Sequence, residues 1–216
     1  MFFQLIFFVG CFKIGIMKTT VREPKQERSI EKKNKIIQAG YELFSEEGYY
    51  GTNTVEIAKR AGVSTGIVYG YFQDKRDILI CVLQIYIDKV SEPLLSIIDS
   101  VTAPTDYPSL VLRMVDTTIK LHKENVHLHN TLHSLAGSDE DVNAAFISLE
   151  DNLTHKIADR LNLLGANIPD CIEKVHLAMN IVQSFAHEFV YDKHKYIDYT
   201  AMKAIVCDTV TKLFVG

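Results

Sequence analysis

The chain has 216 residues, 47% of them apolar, and a formal net charge of −4, enough for a sizeable core in one large domain or in a small and a medium one. Its four scattered cysteines (Cys11, Cys81, Cys171, Cys207) include no C-x-x-C pair, which argues against a disulfide frame or a zinc site and for thiols in a reducing cytoplasm. The charge is unevenly spread: residues 18–80 carry 11 Lys and Arg against 9 Asp and Glu, whereas residues 81–216 carry 11 against 18.

The opening stretch MFFQLIFFVGCFKIGI is apolar but interrupted by Gln4, Gly10 and Lys13, and falls short of the roughly 18–20 residues that span a bilayer. It also lacks the positive start and small-residue cleavage site of a secretory signal. Residues 1–17 are therefore read as a misassigned start or a disordered extension, with Met17-Lys18 as the real beginning; a short membrane anchor is the alternative. The arm Lys18–Lys35 follows, with seven Lys and Arg against three Glu. Such an arm suits contacts to phosphates, although a solvated tail has the same composition.

A first helix is predicted from about Ser29 to Glu47, with Ile36, Ile37, Gly40, Leu43 and Phe44 as its buried stripe and Gly48 as its stop. Asn53 has the features of an N-cap for a second helix, with Glu56 completing a capping box. Ala58 is small enough for a close helix crossing, Gly62 can take the left-handed backbone that ends a helix, Val63 plugs the core, and Ser64 is a good N-cap. A short third helix, Thr65–Phe72, comes next. Asp74 caps a fourth that runs to Ile98, with a kink expected at Pro93. Beyond the loop at 102–108, five more helices are predicted at roughly 109–123, 125–136, 139–164, 169–191 and 199–214. The last two lack a strongly charged side along their middles, which implies burial on more than one face.

Phe44, Gly48-Tyr49, Thr52, Ile57-Ala58, Ala61-Gly62-Val63-Ser64, Gly66, Tyr69, Tyr71-Phe72 and Lys75 give this segment its character. In order and spacing it resembles the tetracycline-repressor (TetR) family of bacterial transcriptional regulators. The motif covers about a fifth of the chain; the rest is similar only in length and helical pattern. The resemblance implies an all-α fold, with a three-helix helix–turn–helix DNA-binding domain at 18–75 and a helical effector-binding and dimerisation bundle at 76–216. It also implies a cytoplasmic homodimer on a double-stranded DNA operator, released as a repressor by a small apolar or aromatic effector, with no cofactor, metal or membrane.

Carried over position by position, the DNA contacts would be Thr52, Asn53, Ser64, Thr65, Gly66, Ile67, Tyr69, Tyr71 and Lys75, the last on a phosphate. Family members usually carry larger polar residues at the positions of Thr65 and Gly70, and Ile67 could touch only a thymine methyl. Base readout is therefore thin, and phosphate positioning and DNA shape are expected to carry more of the specificity. The effector pocket is drawn through Met114, Thr118, His122, Leu132, Phe146 and Phe185, and the dimer interface through Val175, Met179, Val182, Phe189, Met202, Ile205, Val206 and Val210.

Two other readings stay open. A DNA-bound scaffold acting through a protein partner would have a tightly filled bundle without a pocket. A di-metal bundle enzyme could use the two E-x-x-H motifs, Glu124/His127 and Glu173/His176, with Glu92 and Glu150. Acids near helix ends explain these motifs without a metal. His129 and His133, four apart, could share a metal from one helix face or simply line a surface or pocket wall.

Overall fold

A computed structural model describes residues 27–215, and among them the secondary structure is entirely helical. In chain order the helices are α1 (Glu27–Glu46), α2 (Thr54–Ala61), α3 (Thr65–Tyr69), α4 (Lys75–Asp99), α5 (Tyr107–Glu124), α6 (Val126–Ala136), α7 (Glu140–Leu163), α8 (Cys171–Tyr191) and α9 (Tyr199–Val215). Residues 1–17, and the arm as far as Gln26, lie outside the described residues. No described helix is long and apolar enough to cross a membrane.

The head is set by short-range signals. Ile36, Ala39, Gly40, Leu43 and Phe44 fall on one side of α1 at helical spacing, and all are buried. At Gly40 a β-carbon would lie 2.6 Å from Ile78 Cγ2, so α1 and α4 cross at a distance that only glycine permits without a shift. Asn53 accepts the amides of Val55 and Glu56, each at 3.0 Å, while its own amide donates to Glu56 Oε2, which is the predicted capping box. Gly62 takes φ +68°, and its amide and that of Val63 return to the last carbonyls of α2. The third helix is shorter than predicted: it ends at Tyr69 and passes through turns to Asp74.

Asp74 and Asp77 cap α4 reciprocally, Asp77 N–H donating to Asp74 Oδ1 at 3.0 Å and Gln73 N–H to Asp77 Oδ2 at 2.8 Å. The 25 residues of α4 extend about 37 Å, since each adds about 1.5 Å. Pro93 lies within it, and the helix continues to Asp99. α4 therefore leaves the head and becomes a central member of the body, packing against α1, α5 and α7. One buried cluster follows it across, from Ile36, Phe44 and Val68 through Leu79 and Leu83 to Leu128, Leu132 and Val142. Two further clusters fill the rest of the body, around Ile98, Leu161 and Val175 and around Val115, Phe185 and Val210.

α7 straps α4 at both ends. Near the start of α4, the Arg76 guanidinium donates to both carboxylate oxygens of Asp139 at 2.7 and 2.8 Å, and to Asp141 at 2.8 Å. At its far end, Arg160 donates to the carbonyls of Asp99 and Val101 at 3.1 and 2.9 Å, supplying partners to groups that a helix terminus leaves without them.

Candidate nucleic-acid interface and effector cavity

The start of α2 and the end of α3 lie beside each other. Tyr69, 55% exposed, places its hydroxyl 3.0 Å from Thr54 Oγ1 and ties the two. Asn53, Val55, Lys59, Ser64, Gly66 and Gly70 are exposed, with Thr65 and Ile67 half-buried, so the side chains expected at DNA from the two helix starts are open to solvent to differing degrees. Ser64 sits at the N-cap position of α3 with extended backbone, but its side chain makes no capping bond and remains exposed. Gly70 has an ordinary right-handed φ of −72° and presents only backbone.

Three expected contacts are placed differently. Thr52 is 3% exposed, and its hydroxyl donates to the Gly48 carbonyl at 2.9 Å, so this side chain closes the α1–α2 turn. Tyr71 turns back to α1, its hydroxyl 2.6 Å from Ser29 Oγ. Lys75 reaches the carbonyls of Tyr49 and Thr52 at 2.6 and 2.8 Å and lies 4.1 Å from the centre of the Tyr49 ring. Burial pushes its ammonium pKa down, and this charge fastens α4 to the α1–α2 loop. A side-chain contact of Thr52 with DNA is withdrawn on this geometry, because its only polar group is spent inside.

The body holds an apolar pocket, part of it open to solvent. α4 supplies Leu94 and Ile98, α5 supplies Met114 and Thr118, and α7, α8 and α9 close it with residues such as Ile157, Met179 and Phe214. Gln183 and Thr118 are among its few polar groups. Of the expected pocket residues, Met114 and Thr118 line it. Leu132 is wholly buried in the core, Phe185 packs in the α5–α8–α9 cluster, and Phe146 lies against His133 with ring centres 4.7 Å apart. His122 points elsewhere.

His122 joins a polar cluster that sequence periodicity had not assembled. His122 and His129 are buried with ring centres 4.4 Å apart; His133 is 4.1 Å from His129, and His187 of α8 is 5.9 Å from it. Tyr86 of α4 and Tyr191 of α8 complete the group, Tyr191 stacking on His129 at 5.4 Å. Desolvation, then repulsion from the neighbouring imidazoles, pushes the His129 pKa down to about 2, and burial lowers that of His122. Both rings are neutral near pH 7. No regular spacing joins His122 and His187, which explains why the group was not legible as a unit.

The expected interface residues need the same correction. Val175, Val182, Val206 and Val210 are each at most 8% exposed, and three of them, with Met179, line the cavity. Phe189 and Met202 are half-buried, and Ile205 is 64% exposed. The large apolar side chains that α8 and α9 leave exposed are Ile172, Leu177, Val215 and Ile205, of which only Ile205 was expected at the interface. Both helices are apolar on two sides, and helical periodicity alone does not say which side faces the core. The E-x-x-H residues are not brought together either: Glu124, His127, Glu173, Glu92 and Glu150 are all exposed, and Glu124 pairs with Lys120 at 3.7 Å.

A helix–turn–helix head continuous with an all-helical body that encloses an apolar cavity is the architecture of a DNA-binding regulator. Comparison with known proteins agrees. Residues 36–82 match the family of bacterial regulatory proteins, tetR family. The HTH-type transcriptional regulator HbdR of Aromatoleum sp. is 40% identical over 90 residues, 42% of this chain and 38% of that protein. The uncharacterized HTH-type transcriptional regulator YuxN of Bacillus subtilis is 30% identical over 135 residues, 62% of this chain and 46% of that one. The matches thus span less than half the length of these relatives. A tetR-family transcriptional regulator of known structure from Mesorhizobium loti has the same fold, with a TM-score of 0.70 at 19% identity over 88% of this chain and 98% of its own. Residues 36–82 are thus similar to the tetR family of bacterial regulatory proteins, and the described fold as a whole is similar to that of solved tetR-family regulators.

Proposed function

We propose that the protein is a cytoplasmic, homodimeric transcriptional repressor that leaves its operator when a small apolar or aromatic molecule enters the body cavity. The observation that carries this reading is that α4, which starts in the head, also walls the cavity with Leu94 and Ile98. A ligand wedged against those two residues pushes on the helix whose first turn is fastened to the DNA-binding loops by Lys75. Two heads must meet half-sites about 34–36 Å apart, so a small tilt of α4 in each protomer breaks the fit. A hundredfold ligand preference for the splayed dimer corresponds to about 2.7 kcal/mol of coupling.

The cavity lining is almost wholly hydrocarbon, which favours a lipophilic effector over a sugar or an amino acid. The presence of a cavity also favours a ligand-released regulator over a scaffold with a filled bundle. The dimer face is drawn through Leu177 and Ile205, which are 49% and 64% exposed and have no cover within the protomer. Catalysis has no role in this scheme. The test is fluorescence anisotropy with the DNA upstream of the protein's own gene, followed by calorimetry with a ligand panel. Saturable binding that resists random competitor and is reversed by an apolar compound is expected; a panel in which only sugars or amino acids bind would overturn the effector class.

A further inference from the structure

The histidine cluster lies apart from the apolar cavity, and none of its four rings lines it. Its hydrogen bonds have a common pattern. His122 Nδ1 is 2.8 Å from the Thr118 carbonyl oxygen, which can only accept, so the proton is on Nδ1 and the lone pair on Nε2. His129 Nδ1 is 2.8 Å from the Tyr86 hydroxyl, and its buried Nε2 has no partner at all. His187 Nδ1 lies 3.5 Å from the Asp192 carboxylate. Two buried imidazoles thus engage Nδ1 with a carbonyl and a phenol, a third on α8 faces a carboxylate, and the Nε2 of His129 is buried with no partner of its own. Outer partners of these kinds fix the tautomer and orientation of metal-binding histidines. His133, one turn after His129 on α6, supplies a fourth ring at the exposed rim.

We infer that His122, His129, His133 and His187 form a site for one divalent transition metal ion of the zinc type, bound through imidazole nitrogen. With metal–nitrogen bonds of about 2.0–2.1 Å, tetrahedrally arranged rings would have centres roughly 5 Å apart. Five of the six ring-centre distances run from 4.1 to 6.5 Å and bracket that value. No three His, Cys, Asp or Glu side chains among the described residues are already converged on one point. Closure therefore requires rotation of His133 and His187, the two rings not locked inside. An all-imidazole set suits zinc, copper or nickel better than magnesium or calcium, which take oxygen. The site would join α5, α6 and α8 and, through Tyr86, rest on α4. It revises the expectation from sequence that no metal binds.

The test is titration of the metal-stripped, untagged full chain with Co2+, read by visible absorption, and then displacement by Zn2+. The expected result is one Co2+ per protomer with the intense bands of a tetrahedral ion. His133→Ala combined with His187→Ala should abolish that spectrum, while His176→Ala combined with His194→Ala leaves it unchanged. Tyr86→Phe, which removes only the outer partner of His129, should weaken binding about ten- to hundredfold. Circular dichroism of each variant separates loss of the site from loss of the fold. No saturable Co2+ spectrum, or one that survives in the folded His133/His187 double variant, overturns the assignment.

Discussion

The head and the body of this molecule are held by different kinds of contact. In the head the caps that fix helix ends span a few residues, Asn53 with Glu56, Asp74 with Asp77, Gly62 with Ala58 and Lys59, and only a few ties such as Lys75 with Tyr49 and Tyr71 with Ser29 reach further. In the body they join residues dozens apart: Arg76 with Asp139, Arg160 with Val101, Tyr191 with the His122 carbonyl, and Tyr86 with His129. A unit coded by local signals keeps its shape whatever it is attached to. A bundle coded by long-range ties has more than one way to settle, which is what an effector-responsive element needs. α4 belongs to both, and the continuous cluster from Phe44 to Leu132 makes its movement common to both.

The largest test of that continuity is Phe44→Ala. Phe44 is fully buried where α1 meets α2 and α4, and truncation of such a side chain costs about 3–5 kcal/mol. Because its cluster extends into α6 and α7, thermal unfolding should remain a single transition, shifted to lower temperature, with DNA binding lost at the temperature where the native head melts. Two separated transitions would show that head and body fold independently and would break the comparison.

How far the sequence could be read follows the same division. The capping box at Asn53, the left-handed Gly62, the cap at Asp74 and the bounds of α5 to α9 within about two residues were all legible, since each rests on neighbours in the chain. Thr52 was misread because its spacing does not reveal that its hydroxyl turns inward to Gly48. The valines of α8 and α9 were misread because two apolar stripes on one helix are equivalent until the partners are known. The histidine cluster and the ties of Arg76 were invisible for a plainer reason: 58 residues separate His129 from His187 along the chain, and 63 separate Arg76 from Asp139.

A second prediction separates the regions by pH. His129 is neutral in the folded protein because burial holds its pKa near 2, whereas in the unfolded chain it titrates near 6.5. Below about pH 6.5 the unfolded state therefore binds the extra proton, and stability falls with pH by up to about 1.4 kcal/mol per unit, or about 2 kcal/mol by pH 5. The loss continues toward the folded pKa. Asp139, whose pKa is lowered first by its bond to Arg76, adds a loss of the same sign only in the lower, carboxylate range. Urea midpoints measured from pH 7 to 5 should fall in the wild type and fall less in His129→Phe; parallel curves would remove His129 from the account.

The smallest effect sharpens the boundary itself. Family resemblance puts Lys75 on a DNA phosphate, whereas the structure spends its ammonium on the carbonyls of Tyr49 and Thr52. Lys75→Met keeps the length of the side chain and removes the charge. If the lysine is a clasp, the variant loses about 1 kcal/mol of stability, because two loop carbonyls lose a charged donor that is itself partly open to water. Its DNA affinity then falls only as far as the loosened loop allows, and the slope of log affinity against log salt stays that of the wild type. If the lysine neutralises a phosphate, the slope becomes shallower by about one. Stability and salt dependence thus move in opposite combinations in the two cases. The expected result is a lower melting temperature with an unchanged slope, which places Lys75 among the fastenings of the head and leaves phosphate contact to groups such as the exposed Lys59.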